Sequence, residues 1–432
     1  MRRYDSYKDS GVEWLGEVPS HWEVKKMKFL FQDTSIKNKP DETLLSVTQN
    51  RGVIPRDWLE ERTVMPSGSL ETFKFIEKDD FAISLRSFEG GLEICHHDGI
   101  ISPAYTVLKY NKKLLNNGYY KYLFKCQKFI SEMQTSIVGI REGKNISYEE
   151  LKYSFLPIPQ TNEQQKISQF LDDKTAKIDQ AMDLAEKQIA LLKEHKQILI
   201  QNAVTRGLNP DVPLKDSGVK WTGQVPEHWD IKRFRNLFDF GKGLSITKEN
   251  LQDEGIPCVN YGEVHSRYGF EVIPERDALK CVDSKYLVFN NSMLNKGDFV
   301  FADTSEDIEG SGNFTYLNSS TRIFAGYHTV ITRLKITAIH RYIAYYFDSL
   351  SFRNQIRNKV KGVKVFSITQ SILKGTFVLL PNLKEQQQIA DYLDTQTAKI
   401  DQAIALKTAH IEKLKEYKSV LINNVVTGKV QV

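Results

Sequence analysis

Apolar residues recur at seven-residue intervals in two long stretches of this 432-residue chain. In the first stretch the repeat is formed by Leu171, Ile178, Ala185, Leu192 and Leu199, with Met182, Ile189 and Ala203 at a second apolar position. In the second stretch it is formed by Leu393, Ile400, Lys407, Leu414 and Leu421, with Ile404, Ile411 and Val425. Five heptads with charged flanks predict coiled-coil helices rather than ordinary amphipathic ones.

Prolines and glycines mark the ends of both predicted helices. Pro159 and Pro381 precede them, and Gly207 and Gly428 follow them, as is typical of helix boundaries. The predicted segments are a first globular domain at 1–160, a central helix at 161–206, a second globular domain at 207–382 and a C-terminal helix at 383–432. At about 1.5 Å per residue, each helix would be about 65 Å long.

The chain also repeats its own sequence. Lys8–Phe31 and Lys215–Phe238 are identical at 14 of 24 positions, with an offset of 207 residues. Glu163–Met182 and Glu385–Ile404 are identical at 13 of 20 positions, with an offset of 222. These repeats indicate one module used twice, and the difference between the offsets predicts a 15-residue insertion in the second globular domain.

The interiors of the two domains have diverged, although Phe81–Lys109 and Phe299–Leu334 share apolar texture. Repeated motifs around diverged interiors favour two domains that recognise different ligands. Sequence drift in unconstrained loops is the alternative. Short apolar runs between isolated helices predict an α/β or α+β domain. The predicted strands are Thr43–Val47, Phe81–Leu85, Tyr105–Leu108, Phe299–Ala302 and Thr329–Leu334, and the predicted helices are Tyr119–Met133 and Tyr342–Asn358.

A chain with two heptad helices can pair them with each other. Because a whole domain separates the helices, antiparallel packing is the natural arrangement, and self-association through each seam is the alternative. Lys196, Lys407 and Lys418 interrupt the seam and would help to fix its register. The expected fold is a duplicated α/β chain, with two globular domains joined by two long antiparallel coiled-coil helices in a pseudo-twofold arrangement.

The charge distribution indicates where an acidic partner would bind. The chain carries a net charge of +5, but the stretches 162–204 and 384–426 together carry −1, so the rest carries +6. An acidic partner should therefore meet the globular domains. No apolar run is long enough to span a bilayer, the first residues lack an apolar leader, and the four cysteines are scattered. This pattern favours a reducing cytoplasm and argues against a disulfide framework or a zinc site.

Motifs for catalysis are absent or weak. The chain has no P-loop, no Asn/Asp-Pro-Pro-aromatic loop and no glycine-rich methyl-donor site, and Gly241-Lys242-Gly243 is interpreted as a turn. Glu142-Gly143-Lys144 has the E-x-K spacing of some metal-dependent nucleases, but so short a match carries little weight. The adjacent His96 and His97 would point to opposite faces of a strand, which argues against a metal site. The histidines beside Trp22 and Trp229 are expected to belong to structural clusters.

Basic and polar loop residues are the candidates for contacts to nucleic acid. Arginine and lysine suit guanine edges or phosphates, and asparagine suits adenine. Any single one could be ordinary surface charge, but the set clusters at corresponding loops of the two domains. The candidates are Arg51, Arg86, Arg141, Lys144 and Asn145 in the first domain, and Lys242, Arg267, Lys361 and Lys364 in the second.

Three motifs that occur twice, in the same order, resemble the specificity subunits of type I restriction–modification systems. They are the tryptophan motif W-x-G-x-V-P-x-H-W (Trp14–Trp22 and Trp221–Trp229), the EQ motif at the start of each helix (Pro159 to Asp172 and Pro381 to Asp394) and the sequence TAKIDQA (Thr175–Ala181 and Thr397–Ala403). The resemblance covers essentially the whole chain.

The resemblance implies that each globular domain is a target recognition domain that reads one half of a bipartite DNA site. It implies that the helices form the spacer between the half-sites. It also implies two adenine-methylating partner subunits that use S-adenosylmethionine, together with restriction subunits that use ATP and Mg²⁺. The chain itself would carry no catalytic residue and no cofactor.

Identical exposed residues in both helices suggest a duplicated contact. Seam packing does not require these positions, so their repetition predicts two copies of one partner around a pseudo-twofold axis, with recent duplication as the alternative. The candidate partner-binding residues are Lys177, Asp179, Gln180, Lys399, Asp401 and Gln402. Two other functions remain open: a stand-alone metal-dependent DNA endonuclease, and a coiled-coil scaffold with no role at DNA.

Overall fold

The computed structural model describes residues 2–59, 69–85, 87–138, 145–362 and 364–432. Helices and strands alternate along most of this sequence, and two helices are far longer than the rest. Among the described residues, no helix combines the length and the hydropathy needed to cross a bilayer.

The chain forms two compact units. The first unit comprises Met1–Glu186 and Thr408–Val432, and the second unit comprises Lys187–Lys407. Each long helix therefore contributes one half to each unit, whereas the predicted segments treated the helices as separate from the globular domains. The C-terminal residues complete the first unit, just as the end of the central helix belongs to the second.

The two long helices are uninterrupted. The first long helix spans Thr161–Arg206 and the second long helix spans Leu383–Val426. Each ends before a glycine with a positive φ angle, 74° at Gly207 and 72° at Gly428, a conformation that glycine adopts without steric cost. All of the predicted seam residues are buried or half-buried.

Within each unit, the halves of the long helices pair through a seam lysine and an aspartate. In the first unit Lys418 Nζ donates to Asp179 at 2.6 and 2.7 Å, and in the second unit Lys196 Nζ donates to Asp401 at 2.7 and 2.8 Å. Lys407 donates to a glutamine side chain of the first long helix at 2.6 Å. The first two contacts are the same contact with the helices exchanged, so the seams pair antiparallel inside one chain.

The first unit is built on a four-stranded antiparallel sheet. In spatial order its strands are Phe31–Thr34, Thr106–Tyr110, Phe81–Ile83 and Glu93–Ile94. Two-stranded pairs join Tyr7–Asp9 with Glu17–Pro19, Glu23–Lys26 with Phe155–Ile158, Leu45–Thr48 with Gly52–Pro55, Lys74–Ile76 with Gly99–Ile101, and Ile137–Val138 with Asn145–Ile146. The short helices are Ser87–Gly90, Asn117–Leu123, Gln127–Gln134 and Tyr148–Leu151.

The second unit has a larger version of the same sheet. In spatial order its strands are Phe238–Lys242, Thr329–Leu334, Phe299–Ala302, Phe314–Leu317 and Phe270–Val272. A second sheet orders Lys280–Val282, Ile256–Val259, Ile323–Ala325 and Met293–Leu294, and pairs join Leu214–Asp216 with Gln224–Pro226, Asp230–Arg233 with Phe377–Leu380, and Thr304–Ser305 with Phe366–Ser367. The short helices are Phe234–Leu237, Tyr261–Ser266, His340–Asp348, Leu350–Arg357 and Gln370–Lys374.

The strand registers of the two main sheets correspond. Phe81 lies opposite Leu108 in the first unit, as Phe299 lies opposite Thr332 in the second. These registers distribute the predicted insertion over several loops. Relative to the first unit, eleven extra residues precede the strand that contains Phe299, and six more lie between that strand and Thr329–Leu334. Two residues are missing after that strand. The two units therefore share a frame, meaning the main sheet and its attachment to the long helix, and they differ in the lengths of the loops.

All of the predicted strands are present, with ends shifted by up to two residues. Each of the two predicted helices, however, is broken into two. In the second unit Ser349 ends the first helix with extended backbone (ψ 150°), and its hydroxyl accepts from Phe352 N at the start of the next. In the first unit Cys126 takes the same extended conformation (ψ 141°). An apolar pattern alone does not reveal such breaks, because both segments bury their apolar faces.

The tryptophan motif and the EQ motif meet in both units. Glu163 accepts from Tyr4 OH at 2.6 Å and lies 2.9 Å from His21 Nε2. Glu385 lies 2.9 Å from His228 Nε2 and accepts from the neighbouring tryptophan indole at 3.0 Å. The second tryptophan of each motif is fully buried. The expected structural clusters are therefore present around both histidines.

The glutamine of the EQ motif ties each long helix to its globular part. Gln164 is fully buried, accepts from Asn116 N at 2.7 Å and donates to the carbonyls of Leu114 and Pro159. Gln386 makes two of these bonds, accepting from a backbone N–H and donating to a proline carbonyl. A buried backbone N–H needs such a partner, which gives the motif a structural reason to recur.

Candidate nucleic-acid interface and partner-binding face

Loops at the same end of the two homologous sheets form an open cleft in each unit. In the first unit the cleft has a volume of about 540 Å³ and is lined by the hairpin turn at Gln49–Arg51 and by Leu85 and Tyr105. In the second unit it has a volume of about 610 Å³ and is lined by Tyr261, His265 and the loop that follows Thr304. Both clefts thus lie where the central strand of the sheet ends and diverged sequence begins.

Arg51 and an exposed tryptophan characterise the first cleft and its surroundings. Arg51 N donates to Thr48 Oγ1 at 3.1 Å, and its guanidinium lies 3.4 Å from the carbonyl of Trp58. The Trp58 side chain is 50% exposed, and its ring meets that of His97 edge-on at 4.8 Å. An exposed arginine beside an exposed aromatic ring suits a nucleic acid, because the two can bind a guanine edge and stack on a base.

A chain of hydrogen bonds fixes His265 in the second cleft. Its Nε2 lies 2.8 Å from the carbonyl of Thr304, and its Nδ1 lies 2.8 Å from Asn313 Nδ2. Arg353 in turn donates to Asn313 Oδ1 at 2.6 Å. Because a carbonyl can only accept and an amide nitrogen can only donate, these partners require the proton of the neutral ring to be on Nε2.

Three further rings extend the aromatic side of this cleft. Tyr261 packs against Tyr327 with ring centroids 5.6 Å apart and against His328 at 5.3 Å. Nδ1 of His328 lies 3.1 Å from Asp303 Oδ1. The rings are half-exposed or exposed. They provide an amphipathic wall next to the end of the sheet.

Three of the residues that line the second cleft are acidic. Glu306, Asp307 and Glu309 all line it, and all are exposed. Carboxylates repel phosphate groups but can accept a hydrogen bond from the amino group of cytosine. The wall of this cleft is therefore suited to base edges, and contacts to the DNA backbone must come from the basic residues around it.

Four of the predicted DNA-binding residues lie near the clefts. Arg51 lines the first cleft. Lys242 is the last residue of a strand of the second main sheet, at the end where the loop after Ala302 begins. Lys361 and Lys364 are exposed and precede the strand that pairs with Thr304–Ser305.

The other predicted residues are not brought to a cleft. Arg267 is exposed at the end of the helix Tyr261–Ser266 and does not line the second cleft. Arg86, Arg141 and Lys144 lie outside the described residues, as does the rest of the E-x-K sequence. Of Asn145 only its place in a short strand is described. These positions stay predictions.

Several cleft residues were missed from the sequence. They are Tyr261 and His265, which line the second cleft, and Trp58 and Tyr327, whose neighbours line a cleft; none belongs to a repeated motif. Their signal is weak, because single aromatic residues are usually part of a core. What identifies them is their position at the end of the sheet, which only the fold reveals. No cluster of three or more His, Cys, Asp or Glu suited to a metal occurs in the described part of the chain.

The structure gives two of the six partner-binding candidates an internal role. Asp179 and Asp401 accept from the seam lysines, so the pairing of the helices is reason enough for both aspartates to recur. Lys177 is exposed and bonds Asp173 one turn earlier on the same helix. The remaining candidates, Gln180, Lys399 and Gln402, are exposed. Helix pairing therefore does not account for the recurrence of the lysines and the glutamines.

A second apolar stripe follows the long helices outside the seam. Large apolar side chains are exposed at Leu184, Leu191 and Ile198 of the first long helix and at Leu406, Tyr417 and Val420 of the second. The first three are spaced by seven residues, each one position before a seam residue. In a heptad this position lies on the outer face of the helix. Such an aligned row leaves leucine and isoleucine side chains exposed to solvent, which is typical of an interaction surface.

The second half of the chain matches a known family. Residues 226–416 match the model of the type I restriction modification DNA specificity domain. The type I restriction enzyme MjaVIII specificity subunit of Methanocaldococcus jannaschii is 24% identical over 337 residues, which cover 77% of this chain and 75% of the relative. The putative MjaX specificity subunit of the same organism is 23% identical over 97% of this chain and 96% of its own length. The EcoKI specificity subunit of Escherichia coli is 26% identical over 68% and 63%, respectively.

Two solved structures share the fold. One, from work on complex assembly and conformational transition of the type I R-M system, has a TM-score of 0.71 at 15% identity and covers 96% of this chain and 99% of its own. The HsdS subunit from Thermoanaerobacter tengcongensis has a TM-score of 0.54 at 14% identity, with coverage of 96% and 98%. The relatives do not favour a stand-alone nuclease or a scaffold without a role at DNA. The duplicated motifs, the family match over residues 226–416 and these relatives together support a specificity subunit of the type I restriction–modification family.

Proposed function

We propose that the chain reads a bipartite DNA site, with one half-site for each unit. One observation carries the proposal: the two units present different loops at the same end of homologous sheets. A shared frame gives both units the same way of approaching the duplex, and the loops determine which bases each unit accepts.

The chemistry of the clefts favours different bases for the two units. In the first unit Arg51 suits a guanine edge, with Trp58 beside it as an apolar surface. In the second unit the carboxylates of Glu306 and Glu309 suit the amino group of cytosine. Lys242 and the lysines at 361 and 364 would bind phosphates, which positions the unit without specifying sequence.

The direct experiment is to map modified adenines in a host that lacks its own adenine modification. The chain is expressed with its methylating subunit, and the methylating subunit alone is the control. An interrupted motif, with two short blocks at a fixed gap, is expected only when the chain is present. A contiguous motif, or the same motif without the chain, would contradict the proposal.

We further propose that the two long helices set the gap between the half-sites. Each is uninterrupted, and paired α-helices are stiff. Deleting 184–190 and 406–412 together removes one heptad from both helices and preserves the contacts of Lys418 and Lys196. One heptad is about 10 Å of helix, so the preferred gap should shorten by about three base pairs of 3.4 Å each. An unchanged gap would refute the spacer, and altered blocks would show that the deletion disturbed the units.

The proposed partners are two copies of an adenine-methylating subunit, together with restriction subunits where the system includes them. S-adenosylmethionine, ATP and Mg²⁺ would be used by these partners, in the cytoplasm, and not by this chain. The second apolar stripe on the long helices supports a helical docking surface. Lys177, Gln180 and their repeats Lys399 and Gln402 would provide the polar contacts, once on each helix.

Charged substitutions in this stripe test the docking surface. Leu191→Asp combined with Leu406→Asp places two carboxylates on exposed apolar positions, which should leave folding intact and weaken assembly with the methylating subunit at least tenfold. Ala190→Asp is the matched control, because Ala190 is exposed on a different face of the same helix. Sedimentation of the mixed subunits provides the measurement. Equal assembly of the two variants would place the partner elsewhere.

A further inference from the structure

An ion pair between a half-buried lysine and a buried glutamate lies next to the first cleft. Lys125 occupies the break between the helices Asn117–Leu123 and Gln127–Gln134. Its ammonium donates to the carbonyl of Gln49 at 2.9 Å and also to the carboxylate of Glu93. One side chain therefore links the main sheet, the helical layer and the hairpin turn that lines the cleft.

The Glu93 carboxylate has little access to water. Glu93 is 2% exposed in the edge strand of the main sheet, opposite Ala82. Burial raises the pKa of Glu93 to about 7, because the loss of hydration outweighs the attraction of Lys125. Near neutral pH the charged form of this carboxylate is stabilised by Lys125, and the carboxylate in turn holds the Lys125 ammonium in place.

The hairpin itself is pressed against the same strand. Gly52 has a φ angle of 72°, and a Cβ atom there would lie 2.6 Å from the carbonyl of Ile94. Only glycine permits this approach without strain. Within the described part of the chain, the ammonium of Lys125 anchors the turn between the two hairpin strands to the body of the unit, through the carbonyl of Gln49.

We propose that Lys125, held by Glu93, positions the recognition turn Gln49–Arg51 and thereby sets base discrimination in the half-site of the first unit. The inference rests on the proposed function, in which this unit reads DNA. Lys125 is a positioning residue: its ammonium is engaged by Gln49 and Glu93, and it acts through Arg51 rather than on a base. Site-specific recognition depends on such placement, since a guanidinium displaced by about 1 Å loses a paired contact to guanine.

The test variant must remove the pair without leaving a buried charge. Lys125→Met alone would leave Glu93 unpaired, so the double variant Glu93→Gln with Lys125→Met is used, which removes both charges and keeps similar volumes. Lys125→Arg is the rescue variant, because arginine can donate to both acceptors. Lys113→Met is the matched control at an exposed lysine of the same unit.

The measurement is the methylation rate of the assembled complex on DNAs that carry each single substitution in either half-site. The double variant is expected to lose about tenfold discrimination in the first half-site and none in the second, a loss typical of one recognised base pair. Lys125→Arg should retain discrimination within about twofold, and Lys113→Met should match the wild type. Melting temperatures are measured in parallel.

Discrimination that is unchanged in the double variant, or lost equally in both half-sites, would overturn the inference. Should the double variant fail to fold, Glu93→Gln alone decides. This variant is expected to lose about threefold discrimination in the first half-site. Unchanged discrimination would overturn the inference. A wild-type complex without a bipartite preference would instead refute the proposed function itself, so the two failures are distinguishable.

Discussion

The first and second units share a frame and differ at one end of it. In both, a buried glutamine ties the long helix to the globular part, and a glutamate of the same motif binds the histidine of the tryptophan motif. At the cleft end the likeness stops. The first unit presents Arg51 and an exposed tryptophan, whereas the second presents aromatic rings and carboxylates. The residues that join the long helix to the globular part are thus the same in both units, whereas the residues at the cleft differ.

The two units also hold their clefts by different chemistry. In the first unit a half-buried lysine, paired with the buried Glu93, binds the turn Gln49–Arg51 through the carbonyl of Gln49. In the second unit the corresponding support is a chain of hydrogen bonds, in which Asn313 and His265 connect Arg353 to the loop after Thr304. A shared frame can therefore carry different supports as well as different contacts, and each support should be separable by mutation.

The largest expected effect is on the shared frame. Gln164→Ala removes three hydrogen bonds from a fully buried side chain and leaves a cavity, so we expect a loss of about 3 kcal/mol in unfolding free energy. Gln386→Ala removes two such bonds and should cost about 2 kcal/mol. Denaturant unfolding of each variant checks the order. A larger loss for Gln386→Ala would show that the frames are not equivalent.

The next largest effect is the pH dependence of stability that Glu93 gives to the first unit. The pKa of Glu93 is raised by burial to about 7, above its value in an unfolded chain, so the folded state binds the proton more tightly. Wild-type stability relative to Glu93→Gln should therefore fall by about 3 kcal/mol as pH rises from about 4.5 to 7, and then level off. Thermal unfolding across this range provides the measurement, and a difference that does not change with pH would contradict the assignment.

A smaller effect distinguishes the two half-sites. Arg51→Ala should cost about 1–3 kcal/mol of binding free energy and relax one position in one block only. Lys242→Ala is the contrasting variant: as a phosphate contact it should weaken binding to all sequences alike and reduce the salt dependence by about one charge. Binding of the assembled complex to substituted DNAs at several salt concentrations separates the two. Uniform weakening by Arg51→Ala would reassign that residue to the backbone.

The smallest effect tests the symmetry of the helices. Lys418 with Asp179 and Lys196 with Asp401 are equivalent contacts, each partly exposed. Double-mutant cycles with alanine should give coupling energies of about 0.5–1 kcal/mol for each pair, because exposed ion pairs contribute little. Equal couplings are expected. A coupling present in one pair and absent in the other would show that the helices do not pair symmetrically.

The sequence predicted the repeated parts of the fold well. Heptad spacing and flanking glycines located both long helices, and their antiparallel pairing is confirmed by the lysine–aspartate contacts. Most of the cleft residues could not be predicted, because sequence spacing does not show which loops meet at the end of a sheet. The repetition of Asp179 and Asp401 was interpreted as a sign of a partner, but the pairing of the helices accounts for it. Lys125 gave no signal at all, since its role depends on Glu93 and Gln49, which are distant in the sequence.

The claim that each unit reads its own half-site can be tested by making the two units alike. Residues 32–154 replace 239–376, so that the diverged interior of the first unit stands in both frames while the long helices remain unchanged. Adenine-methylation mapping of cells that express this chain with the methylating subunit should reveal the first block twice, in inverted orientation, at the original gap. Retention of the original second block would contradict the account.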